Sequence, residues 1–376
     1  MDTLRRLEIR GYRSIRDASL ELGSLNILIG ANGAGKSNLL SFLGMLGWLS
    51  SGSFQRYVNE QIGSANDLLF YGARRTPIME AELQIERPSV SGPTEVGTNT
   101  YFVRLGHAAG DTLIFLDETV RYEAPTHGSG PYSLGAGHRE SALKVAADEG
   151  TKPAKAVLFA LQRFKAFHFH DTSRLARIRN ACLLDDDAYL RSDAGNLPAY
   201  LYSLREGNKA VYERIRETIR QIAPFFDDFL LEPGGERRDM VRLRWKGTTS
   251  DFVFGPQHLS DGTLRAMALV TLLLRPEDEL PWLIALDEPE LGLHPYALTI
   301  LAGLLQQAST KVQVVVSTQS TALVDQFEPE QVVVVDQSKG ESTFRRLDPG
   351  PLEQWLEDYS LGDLWNKNLL GGRPTS

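Results

Sequence analysis

A single cysteine, Cys182, stands in 376 residues, so no internal disulfide can form, and a lone thiol fits a reducing compartment. Long apolar runs are also missing. The longest nearly apolar stretch, Leu39 to Leu49, is about half of a membrane span and carries two glycines. Residues Met1 to Ile9 are charged and lack the apolar centre of a signal peptide, which predicts a soluble, cytoplasmic chain with no membrane partner. Nor is there an excess of positive charge. Forty basic against 48 acidic side chains leave −8 at neutral pH, which argues against coating nucleic acid through the overall field but leaves room for a local basic patch. Apolar residues at 42% and charged residues at 23% are ordinary globular usage, so disorder and fibre are excluded. The length allows two or three compact units, or one large domain with an insertion.

What is present reads as alternating strands and helices, without a repeat at solenoid periods. Leu25–Ile29 is a buried strand that runs into Gly30–Ser37 and then into a helix carrying Leu39, Leu40, Phe42, Leu43 and Leu46. Before it, Leu4–Arg10 and Ser14–Leu22 read as a hairpin or edge strands turned at Gly11. Ala81, Leu83 and Ile85 alternate with charged or polar neighbours as a half-buried strand, with Tyr101–Leu105 and Thr112–Arg121 as its antiparallel partners and Pro88–Asn99 as a loop. The glycines and prolines of Ala124–His138 predict a flexible loop. Ala154–Phe167 is helical and then strand-like, and Leu197–Arg205 and Lys209–Ala223 are helices. Val241, Leu243 and Trp245 interleave with Arg242, Arg244 and Lys246, a strand with one basic face between the turns at Gly234-Gly235 and Gly247–Ser250. A helix from Ser260, the strand Trp282–Leu286, a helix from Pro295 and the strands Val312–Val316 and Val332–Val335 close the chain.

Gly30–Ser37 matches G-x-x-x-x-G-K-[ST] in full, between a predicted strand and a predicted helix, as the motif requires. Glycines let consecutive backbone N–H groups curl around phosphates, and the helix N-terminus adds positive potential. Lys36 would neutralise the β- and γ-phosphates of ATP, and the Ser37 hydroxyl would bind Mg²⁺. The strand ending in Asp287-Glu288 places two carboxylates at what must otherwise be a buried edge. A solvated strand end is the plain alternative. In the functional reading Asp287 holds Mg²⁺ through water, and Glu288 orients or deprotonates the attacking water, a role worth roughly 10²–10⁴-fold. Leu259-Ser-Asp-Gly-Thr263 opens a helix, and on its own Ser260 is simply an N-cap.

The order of these blocks resembles the SMC/RecF-type ABC ATPases, and within them stand-alone AAA-type ATPases related to the nucleotide-binding half of OLD-family proteins. The resemblance rests on Ile9-Arg-Gly-Tyr-Arg-Ser-Ile15, Ile29–Asn38, Leu259–Thr263, Leu286-Asp-Glu-Pro-Glu-Leu-Gly-Leu-His-Pro295 and Ser317-Thr-Gln-Ser320. It implies an α/β fold, a P-loop NTPase head of ABC type: a mixed sheet with flanking helices, an antiparallel β lobe and a small α/β insertion. The expected division is 1–124 for the first ATPase lobe, 125–196 for a flexible loop and insertion, and 197–376 for the second lobe. The resemblance further implies a nucleotide-dependent homodimer. ATP would lie between Gly30, Ala31, Asn32, Gly33, Ala34, Gly35, Lys36, Ser37 and Asn38 of one copy and Ser260 with Gly262 of the other, with Asp261 repelling the opposing copy until nucleotide and Mg²⁺ organise the site. Where the family's switch histidine would stand, this chain has Gln319, an amide that can donate to a γ-phosphate oxygen but carries no charge. Gln162 is a candidate for the Q-loop glutamine.

Other features are weaker. His168, His170 and Asp171 invite a metal reading, but no further ligands cluster nearby and an ordinary polar strand end is the plainer one. Asp185–Asp187 is a solvated acidic run. Arg242, Arg244 and Lys246, with Arg237 and Arg238, could meet DNA phosphates. Gly128–Gly137 lacks the Lys-Ser ending and is no second phosphate loop. The leading expectation is an ATP hydrolase working as a nucleotide-gated dimer in bacterial DNA maintenance, repair or antiviral defence, with DNA or a separate effector or nuclease chain as partner; the residues after Ser320 are too few for a Toprim nuclease. A transporter's ATPase subunit and an ATP-gated scaffold are the alternatives.

Overall fold

The computed structural model describes residues 2–88, 96–124, 128–234 and 238–372. Residues 89–95 of the expected loop, Pro125, Gly235 and Arg237 lie outside them. A six-stranded mixed sheet forms the centre, in the order Glu341–Arg346, Val332–Ser338, Leu25–Ile29, Gln313–Thr318, Leu283–Asp287, Phe164–Phe167. All run parallel except Glu341–Arg346, which returns antiparallel along Val332–Ser338. Parallel strands covered on both faces read as continuous apolar runs, and these do. Leu25, Ile27, Ile284, Leu286, Val314 and Val316 enter one core with the helices Leu197–Gly207, Asp261–Leu274 and Pro295–Ser309. Leu28, Leu283, Ala285 and Val315 point the other way, into a second core.

That second core is roofed by an antiparallel sheet in the order Ile15–Glu21, Thr3–Tyr12, Ile78–Pro88, Val96–Ala108, Thr112–Glu123, Gly128–Gly135. Helix Lys36–Ser50 lies in the same core as this roof, which explains its apolar character: Leu39, Leu40, Phe42, Leu43, Met45, Leu46 and Leu49 are buried. Gln313, 1% exposed, stitches the two sheets together. Its side chain accepts from Leu4 N (3.0 Å) and donates to Leu4 O (3.0 Å) and Gly23 O (2.9 Å).

Several expectations change, among them the loop at 88–99, of which Pro88 and residues 96–99 belong to paired strands. The first hairpin turns at Arg13-Ser14, where Tyr12 pairs with Ile15, not at Gly11. Gly11, at φ 73, serves a close approach instead, since a Cβ there would lie 2.5 Å from Ile78 O. The stretch expected as a flexible loop holds the strand Gly128–Gly135, paired with Thr112–Glu123. The segment 125–196 supplies a strand to each sheet, because Phe164–Phe167 pairs with Leu283–Asp287.

A buried carboxylate fixes the loop that follows. Glu118, with no exposed surface, accepts from Tyr101 Oη (2.6 Å), Ser141 Oγ (2.5 Å) and Ala142 N (2.9 Å), and meets His138 Nε2 (2.8 Å). Removing it leaves the fully buried Tyr101 hydroxyl and three half-buried groups without this acceptor. Glu118→Ala is therefore expected to cost about 3 kcal/mol in urea unfolding, whereas Arg56→Ala, which breaks the exposed pair with Glu60, should cost less than about 0.5 kcal/mol. Equal midpoints for the two variants would contradict this.

Candidate nucleotide site

The loop Gly30–Gly35 leaves the carboxyl end of its strand and is braced from behind. A Cβ on Gly30 would overlap Val335 O, and one on Gly35 (φ 112) would overlap the Ser342 hydroxyl. Ser342 Oγ donates to Ala34 O (2.6 Å) and lies 2.7 Å from Ser14 Oγ, whose own proton can complete that contact and which accepts from Asn38 Nδ2 (2.6 Å). No side chain caps the helix that starts at Lys36, so its first N–H groups remain available to an anion. Asn32, Gly33 and Ser37 are exposed, while Ala31 and Asn38 are half-buried. Gly33, at φ 80, faces open space. Lys36 is 4% exposed and folds back onto the loop, donating to Gly30 O (2.6 Å) and Ala31 O (3.1 Å). Burial lowers its pKa, and the carboxylates of Glu288, Asp287 and Glu290 oppose the shift.

These acids arrive at the same edge because the parallel ladder aligns Asp287 with Ser317, and Ser317 with Leu28. Ligands gather at the carboxyl ends of such strands. Ser37 Oγ lies 3.4 Å from Asp287 Oδ1, and the Ser317 hydroxyl bonds the same oxygen. A hydroxyl and a carboxylate together suit Mg²⁺, which keeps several waters and takes phosphate oxygens for the rest of its shell. Glu288 has φ 40, a left-handed conformation strained for a side-chain-bearing residue, held by Glu288 N donating to Ser317 O (2.9 Å). The Gln319 amide donates to Glu288 Oε1. Glu290, which the sequence reading passed over, accepts from Thr318 Oγ1 (2.5 Å) and Gln319 N (3.0 Å).

Ser260 caps the helix Asp261–Leu274, accepting from Thr263 N (3.1 Å). Gly262 permits a close approach: a Cβ there would overlap Gly292 O, in the loop after the acidic strand. Among the described residues no hydrogen bond or ion pair joins Ser260 or Gly262 to Gly30–Asn38. Asp261 is already partnered within its own chain, by Arg179 Nη2 (2.7 Å), and that bond lowers its pKa. Its charge is therefore compensated, which removes the ground for expecting it to repel a second copy. Arg265 forks to Phe169 O (3.0 Å), Leu291 O (2.8 Å) and His170 O (2.8 Å), tying this helix to both strand-end loops. No sequence pattern announced Arg179, Arg265 or Ser342.

Gln162 ends the helix Lys152–Gln162, at the amino end of the strand Phe164–Phe167. It thus stands at the far end of the sheet from the site. His168 follows the carboxyl end of that strand. Among the described residues no three His, Cys, Asp or Glu side chains converge as a metal site, so His168, His170 and Asp171 form none. Asp186 pairs with Arg191 (2.9 Å). The residues expected as one basic strand fall in two, Met240–Val241 and Trp245–Gly247, in different sheets; of their basic side chains Lys246 pairs with Asp227 (2.8 Å) and Arg244 with Glu232 (3.6 Å).

Two family models match the sequence. One, described as "AAA ATPase domain", covers residues 3–86; the other, described as "AAA domain, putative AbiEii toxin, Type IV TA system", covers 168–325. No curated protein matches it. Among solved structures the chain is similar to an Smc head domain with an extended coiled coil, derived from Pyrococcus furiosus and bound to the C-terminal domain of ScpA. Identity is 14% and the TM-score 0.58, covering 95% of this chain and 99% of that one. It is also similar to an SmcHead bound to the C-winged helix domain of ScpA, at 16% identity and TM-score 0.56, over 93% and 99% of the two chains. A third likeness is to an Smc head domain with a coiled coil and joint derived from Pyrococcus yayanosii, at 12% and 0.52, over 95% and 99%. At such identities the likeness is one of fold. Among the described residues no helix is long and apolar enough to cross a membrane.

Proposed function

We propose that this chain, which has the SMC/RecF-type ABC ATPase fold, binds and hydrolyses ATP. The observation that carries this reading is the convergence of Lys36 and Ser37 with Asp287, Glu288 and Gln319 at one strand edge. The loop amides and Lys36 bind the β- and γ-phosphates, Lys36 exchanging its two loop carbonyls for phosphate oxygens. Mg²⁺, when bound, supplies positive charge on those phosphates, with Ser37 and Asp287 to hold it. Glu288 accepts a proton from the water that attacks the γ-phosphorus, while the bond from that phosphorus to the β,γ-bridging oxygen breaks and ADP leaves. Gln319 moves its amide donor from Glu288 toward the γ-phosphate, which frees the base. The assay is release of inorganic phosphate from ATP with Mg²⁺. A rate at background, with ATP bound, favours instead an ATP-gated scaffold, the reading suggested by an amide that rests on the base.

The active unit in this proposal is a homodimer, with Ser260 and Gly262 of a second copy closing over the γ-phosphate. Its support is that, among the described residues, the Asp261–Leu274 helix makes no polar link to its own phosphate loop. Ser260→Arg places a bulky cation at that closure, so it should bind ATP with an affinity within ~3-fold of the parent and yet hydrolyse at least roughly 10²-fold more slowly. Parental turnover in Ser260→Arg would defeat the shared site. A role in DNA maintenance or antiviral defence with a separate effector follows from the family resemblance, and the toxin–antitoxin description of one matching family agrees with a defence setting.

A further inference from the structure

The carboxylate of Glu290 has no obvious reason to be where it is. It follows the acidic pair by only two residues and is deeply set, and its Oε2 is buried without a hydrogen-bond partner among the described residues. A buried carboxylate is costly unless it does something that packing cannot. Here its other oxygen gathers two donors from the end of the neighbouring strand, the Thr318 hydroxyl (2.5 Å) and the Gln319 backbone N–H (3.0 Å). Thr318 Oγ1 also accepts from Ser320 N (3.0 Å), so one carboxylate fixes three consecutive residues. The side chain of the middle one, Gln319, is the group that reaches Glu288.

We infer that Glu290 is a positioning residue: by holding Thr318 and the Gln319 backbone against the Asp287–Glu290 loop, it sets where the Gln319 amide points, and through it the state of Glu288. This rests on the ATPase reading for its consequence, but its geometry is testable without turnover. The contact is local and specific. Of the two bonds that Gln319 makes to this loop, one goes through its backbone to Glu290 and the other through its side chain to Glu288. Loosening the first lets the second drift. Burial pushes the Glu290 pKa up while the two donors oppose it, as expected for a carboxyl held in place by bonds and not by solvent.

The experiment compares Glu290→Ala with Glu290→Gln, whose amide oxygen keeps an acceptor for both donors. In the nucleotide-free protein, hydrogen exchange of the segment 317–323 should speed up roughly 10-fold in Glu290→Ala and stay near the parent in Glu290→Gln. In the ATPase assay Glu290→Ala should lose kcat by roughly 10- to 100-fold with KM for ATP changed less than ~3-fold, and Glu290→Gln should recover most of the loss. A double variant, Glu290→Ala with Gln319→Ala, should turn over no more slowly than Gln319→Ala alone. Unchanged exchange in Glu290→Ala overturns the inference, as does equal damage in Glu290→Gln. A parent protein without turnover would defeat the ATPase reading alone, with the exchange result still deciding the role of Glu290.

Discussion

Lys36→Ala is expected to weaken ATP binding by at least roughly 100-fold in a direct titration and to leave the melting temperature within a few degrees of the parent. The first half follows from charge. A phosphate bound at Gly30–Asn38 meets backbone N–H groups, the helix terminus and one ammonium, and charge-assisted hydrogen bonds of the kind lost here contribute about 1.5–3 kcal/mol each. Lys36 donates to two loop carbonyls, and in the proposed function it exchanges them for phosphate oxygens, contacts that alanine cannot make. The second half follows from how the loop is held. Ser342 grips Ala34 O, and Ser14 accepts from Asn38, neither through Lys36. The buried lysine has lowered proton affinity because of desolvation, so its removal also relieves a cost. Equal ATP affinity in the parent and Lys36→Ala would place the nucleotide elsewhere.

The phosphate loop and the acidic strand were legible in the sequence because each is a local pattern: an apolar run of strand length, then residue types with no reason to be there except chemistry. Leu25–Ile29 emerged with the bounds expected, and the acidic strand only one residue displaced, as Leu283–Asp287. The groups that aim those residues were not legible, because they come from far along the chain. Ser342 lies 308 residues from the Ala34 carbonyl it bonds, and Arg179 lies 82 from Asp261. Such partners share no spacing with the motif. Asp261 shows the consequence: as a bare sequence it reads as an uncompensated charge at an interface, and Arg179 makes it a neutral pair within one chain. Gly11 failed for a different reason. Glycine signals either a turn or a close approach, and only the neighbouring strand, with Ile78 O where a side chain would be, decides between them. Glu290 stood in plain view beside Asp287-Glu288, but its use depends on Thr318 and Gln319 arriving from the next strand.

Glu288→Gln should bind ATP as the parent does, turn over at least ~10²-fold more slowly, and convert to a dimer when ATP is present. An amide cannot take the proton from water, yet it matches the carboxylate in shape and can still accept from Gln319. The backbone is equally strained with either side chain at φ 40, so the substitution isolates the chemistry from the fold. Glu288→Gly makes the contrast. It also removes the base, but it relieves the left-handed strain, and should raise stability by a few tenths to 1 kcal/mol where Glu288→Gln does not. The dimer follows from blocked turnover. With Asp261 paired to Arg179, its carboxylate is no bare charge set against a second copy. What is lacking without nucleotide is attraction: the helix terminus at Ser260 has no anion to face. Bound ATP supplies the γ-phosphate charge, and the variant preserves it for the duration of a sedimentation run. The mass of Glu288→Gln should therefore double on adding ATP with Mg²⁺ and remain monomeric with ADP. Parental turnover in this variant would remove Glu288 from the chemistry, and a mass that ignores ATP would remove the nucleotide-gated dimer.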